Sequence, residues 1–172
     1  MPHAHTSVLV HCIFSTKERR PRLGPHCRER LWAYLGGTAR QLGAKTLAVG
    51  GIEDHVHVLL SLPAKLPLAV VVQKLKANSS RWLRETFPEQ RLFSWQEGYG
   101  GFSVGVSQLE RTIAYINGQE DHHRKIDFSQ EFAAFLEEAR NCARGVILSS
   151  CRTHFVMHPK PSAHALGYFL AS

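Results

Sequence analysis

The sequence predicts an α+β fold, a four-stranded antiparallel sheet of ferredoxin-like order with helices on one face and a further helix after the last strand. Three observations predict it. Two-residue alternation and helical apolar spacing succeed one another as strand, helix, strand, strand, helix, strand. Glycine and proline punctuate the joins, at Gly43, Gly50-Gly51, Pro63, Pro67 and Pro88. One stretch, Gly51 to Pro63, is wholly apolar on one of its two faces, as a strand packed against helices must be.

Taken in order, Ser7 to Ser15 places Val8, Val10, Cys12 and Phe14 on one side, with Leu9, His11 and Ile13 on the other, and reads as the first strand. Thr16 to Arg22 is a basic loop whose Arg19 and Arg20 are candidate phosphate contacts. Leu31, Tyr34, Leu35, Thr38, Ala39 and Leu42 recur at helical spacing from about His26, and Gly43 suits a left-handed closing residue. Lys45 to Val49 is a second strand, and the strand after Gly51 is the third. Pro67 opens a second helix with its apolar stripe along Leu68, Val71, Val72, Leu75, Ser79, Trp82 and Leu83. Its outward cations include Lys74, Lys76 and Arg81, candidate nucleic-acid contacts. Trp95 to Val106 supplies the fourth strand, in which Phe102, Val104 and Val106 are expected on the core side. Ser103 and the glycines are expected on the other face, with Ser103 a candidate DNA contact. Ser107 to Glu110 has the form of a capping box and predicts a helix start; Leu109, Ile113 and Ile116 form its seam. Tyr115, Gln119 and His122 share a different face, and Gly118 weakens the helix between them. A final helix runs from about Ser129 to Arg144.

A chain of 172 residues, 44% hydrophobic and 20% charged, has the size and composition of one globular domain. Its formal charge of +7 favours an anionic partner, of which nucleic acid is the commonest. Cys12, Cys27, Cys142 and Cys151 lack the spacing of a zinc ribbon or a disulfide framework, so a reducing, cytoplasmic setting is expected. The apolar run from Val8 to Phe14 is interrupted by His11 and has no basic leader, unlike a secretory signal. No stretch reaches membrane-spanning length.

The chemistry concentrates in the third strand. His55, His57, Leu59 and Ser61 share one side, while Val56, Val58, Leu60 and Leu62 share the other. The apolar side faces the core, so the imidazoles stand together on a face that need not be buried. There they can bind one divalent cation or simply hydrogen-bond across the sheet. A metal site needs a further partner, and Gln119 beside Tyr115 is the downstream candidate.

Four segments carry a resemblance to a known family: Asp54-His55-Val56-His57-Val58-Leu59-Leu60, Leu75 to Trp82, Trp95 to Gly100, and Tyr115-Ile116-Asn117-Gly118-Gln119-Glu120-Asp121-His122-His123. Together they resemble the HUH single-tyrosine transposases, especially the bacterial group associated with repetitive extragenic palindromes. The resemblance spans about Met1 to Glu138. It implies that His55, His57 and Gln119 bind Mg²⁺ or Mn²⁺ and that Tyr115 is the nucleophile. It further implies a transposase and endonuclease that nicks hairpin-flanked single-stranded DNA and rejoins it through a 5′-phosphotyrosine. The expected protein is a homodimer in the bacterial cytoplasm, at the nucleoid. The tyrosine helix of such a dimer can complete its own subunit's site or the partner's. From about Asn141 onward, through Cys151, His154 and His158, the chain departs from the family's acidic and aromatic end. We therefore expect an HUH domain over residues 1–144 and a divergent tail over 145–172, from a shifted reading frame or a replaced terminus.

Two alternatives belong to other classes. A histidine-triad nucleotidyl hydrolase needs a third histidine where Leu59 stands. A non-catalytic or domesticated single-stranded nucleic-acid binder would use the open sheet face, where this chain offers histidines rather than aromatics.

Overall fold

The computed structural model describes residues 6–143, which form two compact units dividing after Glu120. The first unit contains β1 (Val8–Ser15), α1 (Pro25–Gln41), β2 (Lys45–Gly51), β3 (His55–Leu62), α2 (Leu68–Thr86), β4 (Gly100–Ser103) and α3 (Leu109–Asn117). A short helix, α4 (Gln119–His123), precedes α5 (Phe128–Ala143) of the second unit. The strands form one antiparallel sheet in the order β2-β3-β1-β4, which is the expected ferredoxin-like arrangement. No described helix is long and apolar enough to cross a membrane.

Alternation along β1 and β3 decides which face of the sheet the main helices cover. Val10, Cys12 and Phe14 join Val56, Val58, Leu60 and Leu62 in a core closed by Leu31 and Leu35 of α1 and Val71, Val72, Leu75 and Leu83 of α2. Each of these side chains contributes roughly 1.5–3 kcal/mol by leaving water. Trp95 belongs to this core: its ring meets Phe14 and Phe93 edge-on, and its indole N–H donates to Ser79 Oγ at 2.9 Å. Burial raises the Cys12 thiol pKa to about 12, so this cysteine is a packed apolar group.

The opposite face was expected to be open, and over the histidines it is not. Helix α3 lies across it and buries Ile116 completely. The approach is backbone to backbone, since a Cβ on Gly50 would stand 2.1 Å from the Ile116 carbonyl oxygen. Gly50 pairs with His57 across the ladder, so the helix touches the sheet directly beside that imidazole. His55 and His57 are consequently fully buried.

Three local expectations are corrected. β4 presents the reverse of its expected faces: Phe102 pairs with His11, on the histidine side, while Ser103 pairs with Val10, on the core side. The register decides it: Gly101 pairs with Cys12 on the core side, beneath Leu68 of α2, whose Cδ2 would lie 3.0 Å from a Cβ there. The strand is also shorter than expected, with Trp95 making only an isolated bridge to Thr16. The capping box at Ser107 is not formed; the Gly105 amide donates to Gln108 Oε1 at 3.3 Å, and one 3₁₀ turn, Val106–Gln108, precedes α3.

In the second unit, Asp127 caps α5 by accepting from the Gln130 amide at 3.0 Å. His122 and His123 lie 3.6 Å and 3.4 Å from the Glu131 carboxylate. Arg144 and the tail over 145–172 lie outside the described residues.

Gly50→Ala is expected to destabilise the protein by about 1–3 kcal/mol, because a methyl group cannot enter without lifting α3 off the sheet. Thermal unfolding checks this, and an unchanged melting temperature would show that α3 does not rest on Gly50.

Candidate metal centre and nucleophile

Residues 55 and 57 point the same way because side chains two apart on a strand share a face. Their ring nitrogens come within 4.8 Å of one another, and the ring centroids are 4.9 Å apart at an interplanar angle of 72°. Each ring is held by its Nδ1. His55 Nδ1 meets Asp54 Oδ1 at 2.7 Å, and His57 Nδ1 meets His11 Nε2 at 2.9 Å. An ionised carboxylate only accepts, so His55 Nδ1 carries the proton and a neutral ring keeps its lone pair on Nε2. That Nε2 lies 3.4 Å from Gln119 Oε1, both groups being buried. Two lone-pair donors turned toward each other in a dry site fit a divalent cation.

Asp54 is fixed from the other side by the basic loop. Arg19 Nη2 reaches Asp54 Oδ2 at 3.0 Å, while Thr16 takes the Asp54 carbonyl through its amide at 2.8 Å and its hydroxyl at 3.2 Å. Glu18 and Arg19 reach this position only with φ of 57° and 54°, left-handed backbone that costs roughly 1–2 kcal/mol per residue. The Glu18 amide donating to Gln96 Oε1 at 3.0 Å and the Thr16 hydroxyl donating to the Arg20 carbonyl at 2.7 Å hold the turn. Burial opposes ionisation of Asp54, but the hydrogen bond from His55 and the Arg19 guanidinium outweigh it and keep the carboxyl below its ordinary pKa. Asp54 thus stays an acceptor for His55.

Tyr115 and Gln119 match the two histidines by pitch. Four helical residues rise about 6 Å, and two strand residues span about 6.8 Å. Tyr115 accordingly stands edge-on to His57, centroids 5.8 Å apart, and Gln119 stands by His55. Gly118 ends α3 with its amide donating to the Ala114 carbonyl at 3.0 Å, and α4 restarts at Gln119. Arg28 of α1 grips Glu120 at 2.9 Å, anchoring the residue next to Gln119.

The candidate DNA contacts do not form one surface. Arg19 is at the rim of the site through Asp54, and Arg20 is paired with Glu18 in its own loop. Lys74 and Arg81 are exposed on α2, across the sheet from the histidines. Ser103 sits on the core side of the β4 edge, away from the histidine face. Lys76 is turned inward: its ammonium donates to the carbonyls of Gln96 and Gly98, each at 2.6 Å, and burial lowers its pKa. Sequence reasoning gave neither His11 nor Asp54 a role in the site. Both hold a ring nitrogen of the histidine pair, and Asp54 was legible as the residue preceding His55.

Residues 4–119 match the family described as Transposase IS200 like. The chain is 27% identical over 116 residues to the ISDra2 transposase TnpA of Deinococcus radiodurans, covering 64% of this chain and 83% of that one. It is also 27% identical over 111 residues to the transposase for insertion sequence element IS200 of Salmonella typhimurium, covering 61% of this chain and 72% of that one. Among solved structures, a REP-associated tyrosine transposase bound to a REP hairpin superposes with a TM-score of 0.56 at 13% identity, over 92% of this chain and 94% of that one. A crystal structure of a Deinococcus radiodurans protein assigned as a transposase gives 0.55 at 24% identity, over 69% and 98%. These two structures share the fold.

Lys76→Met is expected to cost about 1–3 kcal/mol, since two carbonyls lose a charged donor, whereas Lys74→Met leaves stability within about 0.5 kcal/mol. Parallel thermal melts of the two variants check the contrast.

Proposed function

The chain belongs to the IS200-like transposase family, a single-tyrosine HUH transposase by its motifs, and from that premise we propose that it cuts and rejoins single-stranded DNA through Tyr115. The observation that carries this reading is the convergence, in one buried place, of His55, His57, Gln119 and the Tyr115 ring. His55, His57 and Gln119 would hold the cation, Mg²⁺ or Mn²⁺. When bound, it supplies Lewis-acid polarisation of a non-bridging phosphate oxygen.

The chain's own residues account for the remaining chemistry. The Tyr115 oxygen attacks phosphorus, a phosphotyrosine bond forms to the 5′ phosphate, and the bond to the 3′ oxygen breaks. The phenol gives up its proton and the departing 3′ oxygen takes one up. Because the phosphodiester is exchanged rather than hydrolysed, a 3′-OH from another strand can reverse the step and join new ends. Neutral ligands leave the cation's charge available to phosphate, which a carboxylate-rich shell would neutralise. Tyr115 is half-buried, its ring set edge-on against His57.

The substrate proposed is single-stranded DNA bearing a hairpin, in keeping with the hairpin held by the structurally similar REP-associated transposase. Arg19 is linked to the ligand set through Asp54 and is the proposed phosphate contact at the rim. Lys74 and Arg81 would hold the nucleic acid farther from the scissile bond. A homodimer is proposed on the resemblance of the motifs.

With Mn²⁺ and end-labelled hairpin oligonucleotides, the full-length protein is expected to give an adduct that survives denaturation. Tyr115→Phe should abolish it; an adduct of equal yield would refute the nucleophile. His57→Ala should slow cleavage by at least about 100-fold while sparing DNA binding, and cleavage that survives complete chelation would remove the metal from the scheme.

A further inference from the structure

His11 has no part in the chemistry above, yet from β1 its Nε2 lies 2.9 Å from Nδ1 of a proposed ligand, His57. We propose that His11 is a positioning residue for His57: it accepts the His57 Nδ1 proton and thereby fixes Nε2 as the atom offered to the cation. The inference rests on the reading of His57 as a ligand.

The sheet register brings the two rings together. His11 pairs with Leu59 and Ile13 with His57, so His11 and His57 are diagonal neighbours on one face. Their nitrogens are 2.9 Å apart, the rings stack at 5.0 Å with an interplanar angle of 29°, and both residues are buried. A hydrogen bond between two imidazoles needs one N–H and one lone pair, and a neutral imidazole carries a single N–H. If His11 Nε2 donated, the His57 proton would sit on Nε2 and block coordination there. With His57 ligating through Nε2, the His57 proton is on Nδ1, His11 Nε2 accepts it, and the His11 proton sits on its own Nδ1.

His11 therefore does for His57 what Asp54 does for His55, but as a neutral acceptor that adds no negative charge beside the phosphate. Its influence extends to the nucleophile. The Tyr115 ring meets His11 edge-on at 6.3 Å as well as His57 at 5.8 Å, so a His57 ring free to turn would also loosen the seat of the phenol.

The test compares Mn²⁺ binding, by calorimetry on DNA-free full-length protein, among wild type, His11→Gln, His11→Leu and His57→Ala. Gln keeps an acceptor near the place of the His11 Nε2 and Leu keeps volume alone. His11→Leu is expected to weaken Mn²⁺ binding by about 10- to 100-fold and His11→Gln by no more than about 3-fold. Binding lost in His57→Ala but indifferent to His11→Leu would overturn the role of His11 alone. Binding indifferent to His57→Ala would overturn the metal assignment on which it rests. Nitrogen NMR of the wild-type rings decides the matter should His11→Leu not fold: lone pairs on His11 Nε2 and His57 Nε2 are expected, and a proton on His57 Nε2 in the neutral ring overturns the proposal.

Discussion

A missing side chain at Gly50 governs the site. The sheet can accept α3 on its histidine face only if a backbone carbonyl comes where a Cβ would otherwise be, 2.1 Å from the ideal position. Since Gly50 is the cross-strand partner of His57, the contact is made beside that imidazole. Once the helix rests there, the near-equality of one helical turn and two strand residues sets Tyr115 against His57 and Gln119 against His55. Burial follows from the same contact, for Ile116 and both histidines are sealed together. The Arg28–Glu120 ion pair, adjoining Gln119, then fixes the far end of this segment.

Burying two imidazoles with their polar atoms is costly unless each is given a partner. The fold meets that cost at the side of each ring facing away from the proposed cation, with Asp54 for one and His11 for the other. Asp54 needs its own support, and the chain strains Glu18 and Arg19 into left-handed backbone to deliver a guanidinium to it. Strain of this kind persists only when surrounding bonds over-determine it. Here Thr16 and Gln96 provide them.

The charge of +7 is distributed among unlike tasks. Lys76 and Arg20 are engaged in internal contacts, with the 96–98 carbonyls and with Glu18. Arg19 serves the ligand set. Lys74 and Arg81 remain at the surface, on the far side of the core. A net basic balance therefore says that an anion is welcome without saying where.

Much of this was legible in the linear chain. Strict alternation in β1 and β3 and the helical stripes of α1 and α2 have only one way to bury their apolar halves, so the layering and the shared face of His55 and His57 followed from period, and the strand order from the ferredoxin-like succession of elements. Tyr115 and Gln119 were singled out by the resemblance of their segment to a known family, and the break at Gly118 between them is what the structure adds. What period cannot convey is contact between elements distant in sequence. The faces of β4 were set by its register with β1, which pairs Gly101 with Cys12 under Leu68 of another helix and Phe102 with His11. Lys76 left the surface because two carbonyls lay within reach. That α3 would close over the histidines, and that His11 would hold His57, depended on the β1–β3 register and on the van der Waals radius of one absent methyl group, distances that exist only once the chain has folded.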